Sequence, residues 1–159
     1  MKYVRTTCAL IGLIATSGCA TQMVQQQAKD MCAEEGKRPF VSEAKHDGIP
    51  LVIESASLRV HCVGPDDLVQ MPSGFGADVI NAPDLKGVGV FAVAPGSIAE
   101  KATLKAGDVI YEFGGQAVLH PIDLQTVIEH RTPGEGVLIK FRRNKRELTG
   151  IALFEAKAS

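Results

Sequence analysis

Tryptophan is missing from this sequence, and aromatic residues fill only 5% of its 159 positions. That leaves little to stack on nucleobases or sugar rings. An excess of one charge is missing too. Lys and Arg number 17 against 18 Asp and Glu, a formal net charge of -1, so the basic footprint of a nucleic-acid binder is absent and no nucleic-acid partner is expected. Catalytic groupings are equally hard to find. Ser73 and Ser97 lack a nucleophile-elbow or Gly-Asn-Ser-Gly context, and His46, His61, His120 and His130 are scattered along the chain. No catalytic residue, enzyme activity or cofactor is expected. His46 and His61 lie near two cysteines, but no pair has the spacing of a zinc motif, so no metal is expected. What the chain has is 45% hydrophobic and 22% charged residues. That composition suits a folded globular protein, and the length suits one ordinary domain with something small beside it.

Residues 1–18 read as a secretory leader. Lys2 and Arg5 form a positive start, and Thr6 to Ala15 is mostly apolar, centred on Leu10, Ile11, Leu13 and Ile14. This run is too short to span a bilayer stably. Ala15-Thr16-Ser17-Gly18-Cys19-Ala20 resembles the lipobox of bacterial lipoproteins, except that Thr16 stands where Leu is usual. The resemblance implies cleavage before Cys19, diacylation of its thiol (a palmitate-type modification) and, with Ala20 rather than Asp next, an outer-membrane position facing the periplasm. An ordinary signal-peptidase site nearby, releasing a free protein, is the alternative. Losing Lys2 and Arg5 takes the basic residues from 17 to 15 against 18 acids. Lipid rather than charge then has to hold the chain, and stable holding needs more than one acyl chain.

Residues 19–29, the lipidated Cys and the Gln-rich stretch after it, read as a tether with nascent helix. Residues 30–70 read as a small β-rich unit. Phe40-Val41, Leu51-Val52-Ile53 and Leu58 to Val63 are strand candidates, His46-Asp47-Gly48 is a turn signal and Gly64 to Asp67 a loop. Of the four cysteines, Cys8 leaves with the leader and Cys19 carries lipid. Cys32 and Cys62 remain as an even pair bound for an oxidising compartment, so a disulfide joining them is expected. A unit this small needs such a staple.

The pattern from Gly74 onward is regular. Strands are expected at Ala77 to Ile80, Gly87 to Val93, Val109 to Phe113, Ala117 to Leu119, Val137 to Phe141 and Leu148 to Phe154. Ser97 can cap a short helix over Ile98 to Leu104. Pro121 suits the first position of a longer helix, whose buried face would carry Leu124, Val127, Ile128 and Arg131 before Pro133-Gly134 stops it. The fold class expected is α+β: a partly open β-barrel with two helices, preceded by the disulfide-stapled unit.

The segment VAPGSIAEKATLKAGDVIYEFGGQAV, residues 93–118, followed by DLQTVIEHRTPGEGV, residues 123–137, resembles bacterial PDZ domains of the kind found in HtrA-type proteases. The resemblance spans residues 72–155. It implies a site that holds a partner's C-terminus as an added strand beside a helix. Gly74-Phe75-Gly76-Ala77 then corresponds to the carboxylate-binding loop, with the amides of Phe75, Gly76 and Ala77 as anion donors. Phe75, Ala77 and Val79 share a strand face and would line the pocket. Asp123, Val127 and His130, at i, i+4 and i+7, would form the helical wall. Met71-Pro72-Ser73 supplies none of the basic residues that some PDZ domains place before this loop.

The function expected is therefore a lipid-anchored envelope protein that binds C-terminal or extended segments of partner proteins as adaptor or scaffold. The rival is a structural lipoprotein whose PDZ-like fold makes internal or oligomeric contacts and binds no peptide. A groove covered by the preceding residues would favour the rival. The basic run Lys140, Arg142, Arg143, Lys145, Arg146 falls at an expected hairpin tip and reads as a solvated turn, with anionic lipid the sharper alternative.

Overall fold

A computed structural model describes residues 2–9, 19–49, 53–72 and 74–154. The chain divides into two compact units, Met1–Gly64 and Pro65–Ser159.

In the first unit, β1 (Lys2–Ala9), β2 (Arg38–Ile49) and β3 (Ile53–Val63) form an antiparallel sheet in the order β1-β3-β2. Helix α1 (Cys19–Ala33) packs on it. The segment expected as a tether is thus helical. Val24, Ala28 and Cys32 recur at i, i+4 and i+8 and are buried against Leu58 and Val60 of β3, the spacing that puts one stripe of a helix on a sheet. Cys32 is bonded to Cys62 across this contact, with the two Cα atoms 5.2 Å apart, so the staple ties the helix to the central strand. His46-Asp47-Gly48, expected as a turn, runs inside β2, where Gly48 pairs with Glu54. The expected strand residues Leu51 and Val52 lie outside the described residues, and Ile53 opens β3. Part of the expected leader, β1, pairs with β3 from Lys2↔Val60 to Ala9↔Ile53. Residues 10–18, with the small residues before Cys19, lie outside the described residues.

The second unit begins with a 3₁₀ turn at Pro65–Asp67, and residues 65–70, expected to close the first unit, belong here. Then follow β4 (Leu68–Gln70), β5 (Ala77–Ala82), β6 (Gly87–Val93), α2 (Ile98–Lys101), β7 (Val109–Phe113), β8 (Gln116–Ala117), α3 (Pro121–Glu129), β9 (Gly136–Arg143) and β10 (Arg146–Leu153). The curled antiparallel sheet has the order β10-β9-β7-β6-β5-β4, with β8 paired to β7. The architecture is the expected α+β half-barrel, with three α-helices among the described residues. Helix α2 is shorter than expected because Ala102 ends it and Thr103 takes a left-handed φ of 67°. β8 is brief too, and beyond it Val118 is fully buried with its N–H donating to Tyr111 O at 3.0 Å.

The core gathers Val79, Val88, Val90, Ile110, Phe113, Ile139 and Phe141 from the sheet and Phe75 and Val118 from the segments beside it with Leu124, Val127 and Ile128 from α3. Each aliphatic chain of α3 contributes roughly 2 kcal/mol by leaving water. Glycine is required where backbones meet: a Cβ on Gly150 would overlap the Ala102 carbonyl at the end of α2.

Candidate functional site

The segment entering β5 is built around two left-handed glycines, Gly74 at φ 106° and Gly76 at φ 70°. Its carbonyls are tied down one after another. Ile98 N–H donates to Gly74 O at 3.3 Å, Ala99 N–H to Phe75 O at 2.9 Å and Ala94 N–H to Gly76 O at 2.9 Å. These bonds meet a need of both partners. The first amides of α2 lack partners within their own helix, and the loop carbonyls supply them, while the Ser97 side chain accepts from Glu100 N–H at 3.2 Å. These three bonds fix the carbonyl side of the loop. Phe75 anchors the loop, fully buried against Phe113 with ring centroids 5.8 Å apart. Gly76 has a steric reason beyond its φ, because a Cβ there would overlap Ser97 Cβ.

Phe75, Ala77 and Val79 are all buried in the same cluster as Val127, so the expected pocket residues do come together. The helical wall differs from expectation at its two ends. Asp123 caps α3: its Oδ2 accepts from His120 N–H at 2.9 Å and Leu119 N–H at 3.1 Å. His130 follows the last helical residue, and its Nδ1 sits 2.6 Å from the Thr126 carbonyl, so the ring turns back onto its own helix. Val127 is buried in the core cluster together with Leu124 and Ile128. Those two were legible as buried helix positions. At the N-terminal end of α3, His120 Nδ1 reaches Asn81 Oδ1 of β5 at 3.3 Å and bridges the helix to the strand.

The edge of β5 that faces away from β6 is covered. β4 pairs with it antiparallel, Leu68↔Ile80, Val69↔Val79 and Gln70↔Asp78, and Met71 N–H donates to Ala77 O at 3.0 Å. Phe75 N–H, expected as an anion donor, donates instead to Pro72 O at 3.2 Å. Met71 is only 7% exposed and sits in the core cluster with Ala77, Val79 and Val127, and Val69 packs against that cluster. The β5 edge where the groove is expected is therefore occupied by the chain's own preceding residues. On the outer side of this corner a cavity of about 290 Å³ is lined by Gln70, Met71, Gly76, Asp78 and Ala92 among others.

The basic hairpin is not a free patch. Arg143 donates to both oxygens of Asp108, at 2.6 and 2.8 Å. Arg142 donates to the Leu85 and Lys86 carbonyls. Lys140 bonds Glu112 at 2.9 Å, and that contact raises the Lys140 pKa. Arg131, expected on the buried face of α3, sends its guanidinium to the Val127 carbonyl at 3.1 Å and to Glu135 at 2.8 Å. Among the described residues no group of three or more His, Cys, Asp or Glu side chains is placed to hold a metal ion.

Residues 89–143 match the family described as PDZ domain. A probable periplasmic serine endoprotease DegP-like of Marinomonas sp. is 35% identical over 88 residues, 55% of this chain and 18% of that protein. A putative serine protease HhoB of Synechocystis sp. is 35% identical over 77 residues, 48% of this chain and 17% of that protein. The chain thus spans less than a fifth of the length of these curated relatives. A solved HtrA3 PDZ domain bound to a phage-derived ligand is 25% identical over 49% of this chain and 81% of that one, with a TM-score of 0.42.

Proposed function

We propose that the PDZ domain carried by this chain binds C-terminal or extended segments of partner proteins in the cell envelope, as an adaptor or scaffold held to the membrane by lipid on Cys19. The loop of residues 74–77 carries this reading: its carbonyls are fixed by Ala94, Ile98 and Ala99, so an anion at the end of β5 would meet the amides of Gly76 and Ala77, and that of Phe75 once it releases Pro72 O. A partner strand laid along β5 would supply that anion as its terminal carboxylate and set its side chains against Ala77, Val79 and Val127. Asp123 and His130 contribute indirectly, by fixing the two ends of α3. The relatives' names describe proteases, but what the chain shares with them is a binding domain, and this chain is read as having no catalytic role of its own.

The envelope setting draws on the leader-like residues 1–18, the small residues before Cys19, and the periplasmic relative. If the chain is cut before Cys19, β1 departs, and α1 with the Cys32–Cys62 bond holds the first unit's remaining hairpin. A second reading has its own observation. β4 covers the β5 edge, so the fold can serve as a closed structural piece that takes no peptide.

Fluorescence polarisation with peptides ending in Leu, Met, Phe or Val separates the two. Peptide binding predicts affinity in the micromolar range, about -7 to -8 kcal/mol, with amidated versions at least tenfold weaker. Equal binding of free and amidated peptides would remove the carboxylate mechanism. No binding by any peptide would establish the structural reading.

A further inference from the structure

We infer that Leu68-Val69-Gln70-Met71 is an internal pseudo-ligand of the groove, and that the partners this domain takes carry the same aliphatic-x-aliphatic ending and bind by displacing it. This rests on the peptide-binding reading above and adds to it the ligand class and a built-in competitor.

Direction, register and side-chain placement all agree. β4 is antiparallel to β5 and runs toward the loop of residues 74–77, the direction a bound C-terminus must take to reach the loop amides. Met71 N–H donates to Ala77 O at 3.0 Å, so Met71 and Ala77 form a hydrogen-bonded pair. By the alternation of antiparallel ladders Val69 and Val79 form the next such pair, and Gln70 and Asp78 lie between them in a non-hydrogen-bonded pair. Side chains alternate accordingly. Met71 and Val69 turn toward the core, while Gln70 is exposed. The large Met71 lies opposite the small Ala77, so the space that Ala77 leaves open is filled by an unbranched aliphatic chain. Adding a strand to an exposed sheet edge is how extended peptides are recognised, with backbone bonds giving affinity and alternate side chains giving selectivity. Here the strand comes from the chain itself.

The cover is short. It has three strand residues, and Val69 is only half-buried. A tethered strand competes through its effective concentration and is displaced by a ligand that makes the same bonds and adds a terminal carboxylate. After Met71 the chain continues as Pro72, whose carbonyl accepts from Phe75 N–H. In a partner that ends at this position, a charged carboxylate would replace this neutral acceptor at the loop.

The test closes and opens the cover in the whole protein. Gln70→Cys with Asp78→Cys places two thiols across a non-hydrogen-bonded pair, where Cα atoms lie about 4.5 Å apart and a disulfide forms readily. Val69→Pro removes one ladder bond and a half-buried side chain at the margin of the core. The probe is a fluorescein-labelled peptide of the sequence of residues 65–71, ending in a free carboxylate at Met71. Its control carries Val69→Asp and Met71→Asp. The oxidised clamp is expected to bind the probe at least tenfold more weakly than the same protein reduced, with wild type under both conditions correcting for the Cys32–Cys62 bond. Val69→Pro is expected to bind it at least fivefold more tightly than wild type, and the Asp control to bind neither. Equal binding to clamped and opened protein overturns the inference and leaves peptide binding standing at another edge. Binding of other aliphatic-ended peptides but not the probe overturns the ligand pattern alone. No binding of any peptide to the opened protein ends both this inference and the groove reading beneath it.

Discussion

Asp108 is fully buried, yet all its partners are present: Lys105 N–H donates to it at 2.7 Å and Arg143 grips both oxygens. The turn that carries it also feeds β6, since Val90 N–H donates to Asp108 O and Gly107 N–H to Val90 O. Asp108→Asn keeps the shape and removes the charge that the guanidinium answers. A loss of about 2–3 kcal/mol is expected, because the buried group loses charge-assisted bonds while Arg143 keeps partial access to water. Urea unfolding measures it, and a loss under about 0.5 kcal/mol would show that the pair does no more than an exposed one. Glu135 tells a different story. The hydrogen bond from Arg131, with one from Thr132 N–H, lowers its pKa below the ordinary 4.5. A carboxylate depressed on folding adds stability above its unfolded pKa and loses it as pH falls through the folded value, so the turn after α3 should loosen only in acid. NMR titration of the Glu135 side chain should give a midpoint under 4.5 that moves back up in Arg131→Ala. An unchanged midpoint would deny the contact.

Among the elements, α1 is where the sequence misled most. Its Gln-rich run suggested a polar tether, but Val24, Ala28 and Cys32 form a stripe that only a partner surface makes meaningful. Polar composition hid an amphipathic helix with few apolar residues. His46-Asp47-Gly48 misled for the opposite reason: local turn chemistry lost to a long ladder with β3. By contrast β6, β7, α3 and the β9–β10 hairpin were legible, because each carries its own period and its own stops. The left-handed turn at residues 74–76 was legible from Gly74 and Gly76. The cover over it was not, since Leu68-Val69-Gln70 is too short to announce itself and its pairing with β5 is a tertiary fact. The disulfide was legible from parity, and its role can be measured. Closing a loop between residues 30 apart is worth roughly 3–4 kcal/mol in the chain-entropy model. Reduction should therefore release amide protection in α1 and β3 while β6, β7 and α3 stay protected. Hydrogen exchange by mass spectrometry reads this directly, and equal loosening of both units would show that the staple serves the second unit as well.

At the scale of the whole molecule the question is where the domain works. No helix among the described residues is long and apolar enough to cross a membrane. On the proposed reading the attachment is the lipid on Cys19. Cys19→Ala should shift the protein from the membrane fraction to the soluble or uncleaved pool and abolish labelling by radioactive palmitate. Unlabelled wild type would remove the anchor from the account without touching the binding domain. Binding itself is most directly read residue by residue. A ¹⁵N-labelled sample titrated with a peptide ending in free Met should shift the amides of Phe75, Gly76, Ala77 and Val79, together with Val69 and Met71 as β4 is displaced, and its amidated twin should leave the loop amides in place. Shifts confined to other surfaces, or loop amides that ignore the carboxylate, would contradict the claim that this groove receives a partner's C-terminus.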